Sequence, residues 1–267
     1  DLGGKLALDY QMNEDMLLYA SVSRGFKGGG LSVAALDALT GVGGSQVDSE
    51  YLTTYEAGLK SQWLGNTLQF NAAFFWNEWT DQQLFLITST PTGPAPVLTN
   101  VPESSSKGVE LDMQWIPAEG WSTMFGLSYT DSSVDDAGTL GGGVVKGNKL
   151  VGSPEITFNG LIRKEWPVAN GTFSLQTDFR YTDDVEYDLG NNPALAESDY
   201  WMLNARASYR FGPGERYEIS VWGKNLTDTE YCALKFDLNG LGFGNVYTCQ
   251  ANEGMPFYGG TFTARYN

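Results

Sequence analysis

The sequence contains no histidine, only two cysteines, and half as many basic as acidic residues. Without histidine, zinc and non-haem iron sites and the Ser-His-Asp and Cys-His nucleophile arrangements lose their commonest member. The 16 lysines and arginines stand against 32 aspartates and glutamates, giving a net charge of −16, which repels a nucleic-acid backbone. We therefore expect neither an enzyme nor a nucleic-acid-binding protein, and no resident metal or cofactor.

Long apolar runs are also missing from the sequence. The longest compact one lies near Ala72 to Trp76, far short of the roughly 18 residues that a membrane-spanning helix needs. Any contact with a bilayer would therefore be made by strands. The chain begins at Asp1 with neither an initiator methionine nor a basic and apolar leader, so we expect it to be a segment of a longer protein.

Alternation of apolar and polar residues with a period of two is the dominant pattern that is present. It is cleanest over residues 173–181, where Phe173, Leu175, Phe179 and Tyr181 alternate with polar side chains, as on a strand with one apolar face. No helical periodicity of comparable strength accompanies it. The pattern predicts about eleven strands, most of them about ten residues or longer. They lie near residues 3–10, 15–24, 52–63, 67–80, 105–116, 120–131, 154–165, 172–182, 198–211, 216–225 and 258–267.

The connections between these strands alternate in length. Short turns follow the first strand and every second strand after it, for example at residues 64–66 and 117–120. The long connections lie near 25–51, 81–104, 132–153, 183–196 and 227–257. The strand-like pattern continues on both sides of residues 91–96. We therefore predict that the second long connection is a hairpin that rises past its neighbours.

Alternation alone does not distinguish a water-soluble sandwich from a membrane barrel, because both have one apolar face per strand. The strands are longer than the five or six residues typical of soluble proteins and match the roughly 9 to 11 that cross a bilayer. The apolar rows begin or end in aromatic residues such as Trp115, Trp121 and Trp201, as interfacial girdles do. The opposite rows are polar, as expected of a hydrated lumen. These features favour an antiparallel transmembrane β-barrel.

Five segments, in this order, resemble the C-terminal half of the barrel of TonB-dependent outer-membrane receptors of the siderophore-receptor type. They are residues 18–30 (LYASVSRGFKGGG), 55–61 (YEAGLKS), 71–83 (NAAFF leading to TDQQ), 106–111 (SKGVEL) and 223–231 (GKNLTDTEY). Alternate residues of 258–266 also keep the register of the family's last strand. The chain ends at Asn267, at the point where family members usually add a terminal phenylalanine. We therefore expect one terminal residue to be missing.

The resemblance implies a barrel of 22 strands with a plugged lumen. Residues 1–267 would then form a single, incomplete barrel domain with about half of the strands. The plug and the segment that contacts the TonB complex would lie upstream of Asp1. An open half-barrel would leave two sheet edges in hydrocarbon, where each unpaired backbone group costs several kcal/mol. We therefore expect that the chain does not function alone.

The resemblance also implies energy-coupled uptake of a ferric siderophore, or a similar large and scarce ligand, across the outer membrane of a Gram-negative bacterium. The expected partners are outer-membrane lipid, the TonB complex and the ferric chelate, which is cargo rather than cofactor; vitamin B12, haem and glycans are lesser options. Two alternatives stay open. One is a passive porin or adhesin-like barrel, and the other is a secreted soluble carbohydrate-binding module.

The long loops are expected to face the cell exterior and the short turns the periplasm, so the loops should capture the ligand. Ferric siderophores are often anionic and carry planar groups, so a capturing surface needs basic and aromatic side chains. The candidates are Arg24, Lys27, Phe85, Tyr187, Phe236 and Phe243. The alternative is that the two basic residues only line a hydrated wall and that the aromatic residues belong to girdles or loop packing.

Cys232 and Cys249 fall in one long loop that is placed outside the cell, an oxidising setting. We predict that they form a disulfide, which would restrict the unfolded chain by about 3 kcal/mol on the loop-entropy estimate. The alternative is a pair of reduced thiols that pack as small hydrophobic groups. Mass spectrometry under non-reducing conditions checks the pairing, and alkylation of both thiols would contradict it.

Overall fold

The computed structural model describes residues 2–32, 45–90, 93–237, 247–251 and 254–266. The strands in chain order are β1 (Gly4–Asn13), β2 (Met16–Lys27), β3 (Gly30–Ser32), β4 (Ser45–Val47), β5 (Glu50–Trp63), β6 (Leu68–Thr90), β7 (Gly93–Trp115), β8 (Trp121–Asp136), β9 (Ile156–Val168), β10 (Gly171–Thr182), β11 (Tyr200–Phe211), β12 (Tyr217–Lys224), β13 (Cys232–Asp237), β14 (Tyr247–Ala251) and β15 (Phe257–Ala264). A short 3-10 helix, Pro213–Glu215, lies in the turn between β11 and β12.

Eleven of these strands form one antiparallel sheet within the described residues. Its order is β1-β2-β5-β6-β7-β8-β9-β10-β11-β12-β15, so every strand pairs with its neighbour in the chain apart from the two small hairpins β3–β4 and β13–β14. The all-β class and all eleven predicted strands are confirmed. No helix among the described residues is long and apolar enough to cross a membrane.

The tall hairpin is also confirmed, and it is more regular than predicted. β6 and β7 have 23 residues each and stay paired from Leu68↔Trp115 up to Thr90↔Gly93. The hairpins β3–β4 and β13–β14 were not predicted from the sequence. Their strands have only three to six residues, which is too short for alternation to be recognised.

The register of the sheet brings the apolar rows of neighbouring strands onto one face. Residues paired across an antiparallel ladder point to the same side. One such row runs across five strands and is apolar throughout: Leu111↔Leu127↔Phe158↔Tyr181↔Trp201. The adjacent row, on the other face, is Glu110↔Ser128↔Thr157↔Thr182↔Tyr200. The sheet therefore has one apolar and one polar face.

The apolar face of the sheet is not covered. Val221 is 61% exposed, Ile219 50% and Phe262 65%, and the strands of the sheet pack against their hydrogen-bonded neighbours rather than against a second layer of the described residues. A soluble sandwich would bury this face between two sheets. The uncovered row is the face that a barrel presents to hydrocarbon, so the soluble alternative does not fit the fold.

Aromatic side chains lie at both ends of the apolar face. At the long-loop end, Tyr181 and Trp201 are 4.9 Å apart between ring centroids, and Phe158 is 6.5 Å from Trp201. At the short-turn end, the Lys164 ammonium lies 5.3 Å and 5.9 Å from the ring centroids of Trp121 and Trp166. These two bands correspond to interfacial girdles with an apolar zone between them.

Ile162 and Leu161 provide a matched test of which face meets lipid. Ile162 pairs with Thr177, midway between the two girdles on the apolar face, and Leu161 pairs with Asp178 on the polar face. We predict that Ile162→Arg lowers the free energy of unfolding from lipid vesicles by about 2–4 kcal/mol, the cost of arginine on the lipid face at mid-bilayer. Leu161→Arg should lower the free energy of unfolding far less, because the new arginine faces the polar side and can form an ion pair with Asp178.

The measurement is a urea titration of folding of the full-length protein into vesicles of one lipid composition, with both variants and the unsubstituted protein in parallel. A larger loss for Leu161→Arg than for Ile162→Arg would show that the faces are assigned the wrong way round.

Candidate functional site

A cavity of about 550 Å³ opens on the polar face of the sheet at the long-loop end. This volume lies in the range of small-molecule binding sites. Strands β9, β10 and β11 form its wall, and residues from the long loops after β8, β10 and β12 complete it. Its lining includes Pro154, Thr157, Asn159, Arg180, Thr182, Val185, Tyr187, Tyr200 and Tyr231.

The register of three strands positions the wall of the cavity. Thr182 of β10 pairs with Thr157 of β9 on one side and with Tyr200 of β11 on the other. Arg180, two residues earlier on β10, points to the same face as Thr182. The loop after β10 is closed by reciprocal 2.9 Å hydrogen bonds between the backbones of Val185 and Glu197. The polar alternation of these strands therefore decides which side chains reach the cavity.

Aromatic rings and one guanidinium group dominate the cavity. The rings of Tyr200 and Tyr231 are stacked, with 4.4 Å between centroids and 13° between planes. Arg180 donates from Nη2 to the Tyr200 hydroxyl at 2.9 Å and from Nε to Thr182 Oγ1 at 3.1 Å. The Tyr187 hydroxyl donates to the carbonyl oxygen of Cys232 at 2.6 Å. Tyr231 is buried, so the arrangement offers a planar ligand the partly exposed Tyr200 ring and the exposed Arg180 guanidinium.

Tyr187 is a neutral phenol at physiological pH. Burial raises the pKa of Tyr187 above its usual value, and the neighbouring Tyr200, Glu197 and Tyr231 raise it further. The Arg180 guanidinium opposes this rise only in part. The hydroxyl therefore acts as a hydrogen-bond donor rather than as an anion.

A second cavity of about 660 Å³ adjoins the first and shares Tyr231 with it. It is lined by Glu197, Glu230, Tyr231, Cys232, Lys235, Gly254 and Met255. Lys235 Nζ lies 3.1 Å from Glu197 Oε2 and donates to the carbonyl of Ala196 at 2.6 Å. The two cavities thus meet at the Tyr231 ring, between the loop after β10 and the loop after β12.

The long loops around the cavity have a hydrophobic core of their own. Val101, Val134, Val144, Leu150 and Leu189 are buried together, and side chains from the tall hairpin, including Trp79, Leu84 and Leu86, pack against them. This core joins the tall hairpin to the loops 137–155 and 183–199. It holds the cavity's loop side in a fixed position.

An asparagine ties the same two loops together through their backbones. Asn191 Oδ1 accepts from the Lys149 amide at 2.6 Å, and its Nδ2 donates to the Lys149 carbonyl at 3.0 Å. Asn148 Nδ2 donates to the Leu189 carbonyl at 2.9 Å. Because both hydrogen-bonding groups of the Asn191 amide are used, the register between the loops is specific.

Of the four predicted ligand-binding residues whose side chains the structure describes, one lies in the cavity. Tyr187 lines it. Lys27 is at the end of β2 on the polar face and is exposed, and Phe85 lies on the tall hairpin with 68% of its surface exposed. The side chain of Phe236 and the whole of Phe243 lie outside the described residues.

Arg24 lies on the apolar face rather than the polar one. It pairs with Thr53, in the same row as Val22 and Phe26, and its guanidinium lies 4.7 Å from the centroid of the Tyr51 ring. Its position at a strand end beside a loop had suggested ligand contact. Register, which the sequence does not reveal directly, points the side chain toward the rim outside the barrel wall instead.

Arg180, Tyr200 and Tyr231 were not predicted as site residues. Arg180 and Tyr200 looked like ordinary members of alternating strands, and Tyr231 like part of a family segment. Only the pairing of β10 with β11 and the return of the chain after β12 bring them together. Cys232 is disulfide-bonded, and Cys249 is the only other cysteine in the sequence. The Cys249 side chain lies outside the described residues, so their pairing stays a prediction.

Comparison with known proteins decides the family. A family model described as "TonB dependent receptor-like, beta-barrel" matches residues 2–226. The chain belongs to this family. Pesticin receptors of Yersinia pestis and Yersinia enterocolitica are 32% identical to it over 237 and 235 residues. These matches cover 85% of the chain and 31% of each relative, so the chain spans about a third of the length of these receptors.

Solved structures share the fold of this receptor chain at lower identity. The ferric yersiniabactin uptake receptor FyuA from Yersinia pestis superposes with a TM-score of 0.77 at 20% identity, over 98% of the chain and 37% of FyuA. The siderophore receptor PiuA from Acinetobacter baumannii gives a TM-score of 0.71 at 20% identity, over 97% of the chain and 35% of PiuA. The copper transporter OprC superposes with a TM-score of 0.67 at 17% identity, over 98% of the chain and 39% of OprC. Proteins named as uptake receptors and as a copper transporter thus share this fold.

Glu186, in the loop after β10 of this receptor chain, makes the loop's stability depend on pH. Burial raises the pKa of its carboxyl group, Asp188 and Asp184 add to the rise, and Lys149 opposes it. Its Oε2 atom is buried without a hydrogen-bond partner among the described residues. Since the folded state favours the protonated acid, the stabilisation is complete below the unfolded pKa of about 4.3 and is lost as pH rises through the folded pKa.

We predict that Glu186→Gln strengthens this loop at neutral pH and has no effect at acidic pH. The readout is hydrogen exchange of the Gly152 amide, which donates to the Glu186 carbonyl at 2.9 Å. Its exchange should be a few-fold slower in the variant at neutral pH. Glu119→Gln, which removes one exposed carboxylate at the short-turn end, is the control. Equal protection of Gly152 in the variant and the unsubstituted protein at neutral pH would refute the prediction.

Proposed function

We propose that this chain is the ligand-capturing part of an outer-membrane receptor that takes up a ferric siderophore with energy from the TonB complex. The observation that carries the proposal is the cavity of tyrosines with Arg180, which opens inside a lipid-facing wall under packed long loops. The 32% identity with pesticin receptors and the fold shared with FyuA and PiuA support it. The cell surface of a Gram-negative bacterium is the proposed location.

The rest of the receptor must complete the barrel. β1 and β15 lie at the two ends of the sheet order in the described part of the chain, and every residue of β1 is exposed. Unpaired strand edges are not tolerated in hydrocarbon. We propose that further strands of the whole receptor pair with these two edges, and that its plug and TonB-contacting segment supply gating and energy coupling.

The part that this chain plays is recognition, without covalent chemistry. Long loops face outside, and the cavity lies where a ligand arriving from solution first meets the inner wall. The partly exposed ring of Tyr200, which stacks on the buried Tyr231 ring, and the hydroxyl of Tyr187 suit a planar, hydrogen-bonding group of a chelate. The loop core holds these groups in place before the ligand arrives, which reduces the ordering cost of binding.

A strain that lacks the gene tests the proposal. We predict that its uptake of at least one chelate from a panel of radiolabelled ferric chelates is lost and is restored by the full-length gene. Restoration should require a functional TonB protein. The Tyr200→Leu variant should lower uptake at limiting chelate concentration by about tenfold or more, because a binding loss of about 1.4 kcal/mol has that effect.

Tyr209→Leu is the matched control for this variant, because Tyr209 lies on the apolar face and stacks on Phe211 with ring centroids 5.6 Å apart. Its uptake should equal that of the unsubstituted receptor. Unchanged uptake of every chelate in the deletion strain would overturn the proposal. Uptake that continues without TonB would instead indicate a passive barrel.

A further inference from the structure

The two cavities contain few positive charges, and one of the two is already neutralised. Arg180 is the one cation that lines the first cavity among the described residues, and it donates to Tyr200 and Thr182. Lys235 is the one cation in the described lining of the second, and it is ion-paired with Glu197. Lys235 is therefore neutralised, whereas Arg180 donates only to neutral hydroxyl groups and is exposed, so it is the single unneutralised cation in the described lining of the two cavities.

The segments outside the described residues add no cation. By sequence, residues 33–44, 91–92, 238–246 and 252–253 contain no lysine or arginine. They contain the two carboxylates Asp37 and Glu253. The positive charge that this chain can offer a ligand is therefore limited to side chains whose positions are described. Among the described residues, the side chains of Lys27, Lys146 and Lys224 are exposed, but none of them lines either cavity.

Negative charge surrounds the same cavities. Glu230 lines the second cavity as an exposed carboxylate, whereas the charge of Glu197 is balanced by Lys235. Asp184, Glu186 and Asp188 lie on the loop that carries Tyr187, and the whole chain has a net charge of −16. A multiply charged anion that enters such a site loses strong hydration, finds one unneutralised cation, and meets a repulsive field from the surrounding carboxylates. A neutral chelate loses less hydration free energy and meets no net repulsion, and its rings can still stack on Tyr200.

We propose that the cavity selects a ferric chelate of zero net charge that carries planar rings, and that it discriminates against multiply anionic chelates. The inference rests on the proposed function, since it names the class of chelate that the same site takes. It differs from the sequence-based expectation that the ligand would be anionic and would be captured by basic side chains.

Binding of three synthetic ferric complexes to the purified full-length receptor in detergent tests the inference. The first is a neutral tris-hydroxypyridinonate, which has rings and no net charge. The second is a trianionic tris-catecholate, which has rings and charge, and the third is a neutral tris-alkylhydroxamate without rings. The first should bind about tenfold or more tightly than either of the others. Added salt should strengthen binding of the tris-catecholate alone, because it screens repulsion.

A charge-changing variant locates the selectivity. Glu230→Lys introduces a cation at an exposed position of the second cavity. It should strengthen tris-catecholate binding by about tenfold and change binding of the neutral tris-hydroxypyridinonate by less than about twofold. Glu119→Lys makes the same charge change at the short-turn end and should leave both affinities unchanged. An equal gain in the two variants would overturn the assignment to these cavities.

The outcomes separate the two proposals. Tightest binding of the tris-catecholate, or equal binding of the two neutral complexes, would overturn the selectivity and leave siderophore uptake standing. Absence of binding by all three complexes, in a receptor whose gene also restores no chelate uptake, would overturn the proposed function itself. Tyr200→Leu tests the contribution of the ring. This variant should bind the tris-hydroxypyridinonate more weakly and should bind the tris-alkylhydroxamate with unchanged affinity.

Discussion

Backbone hydrogen bonding in hydrocarbon is the constraint on which the rest of this structure depends. Lipid offers no partner for an N–H or C=O group, so each must be satisfied within the protein. The long ladder from β1 to β15 meets this need for every strand except at its two edges. Because a ladder alternates its side chains, one face must then suit lipid and the other water. The exposed row that contains Val221 and the polar row that contains Thr182 are the result.

The polar face contains ionic groups that the apolar face could not. Near the short turns, Glu218 accepts from Arg206 at 2.7 Å and from Arg265 at 2.8 Å. Glu165 similarly accepts from Arg163 and Arg210. In lipid such charges would each cost several kcal/mol. Their place on the inner wall independently supports the assignment of the two faces.

The strands were predictable because a period of two over ten residues is a strong signal, and the family segments fixed their order. The site was less predictable. Tyr187 could be selected as an aromatic residue in a long loop, but Arg180 and Tyr200 become site residues only through the register of β10 with β11. The same limit explains Arg24, because one step of register decides whether a side chain faces the lumen or the lipid.

The position of the buried core follows from the same constraint. A wall with lipid on one side and water on the other has no interior in which to bury apolar side chains. The loops that extend into water therefore supply their own core around Val101, Val134 and Leu189. Wall, loop core and cavity lining thus depend on different contacts. Substitutions in the cavity lining should therefore leave the lipid-facing row and the loop core undisturbed.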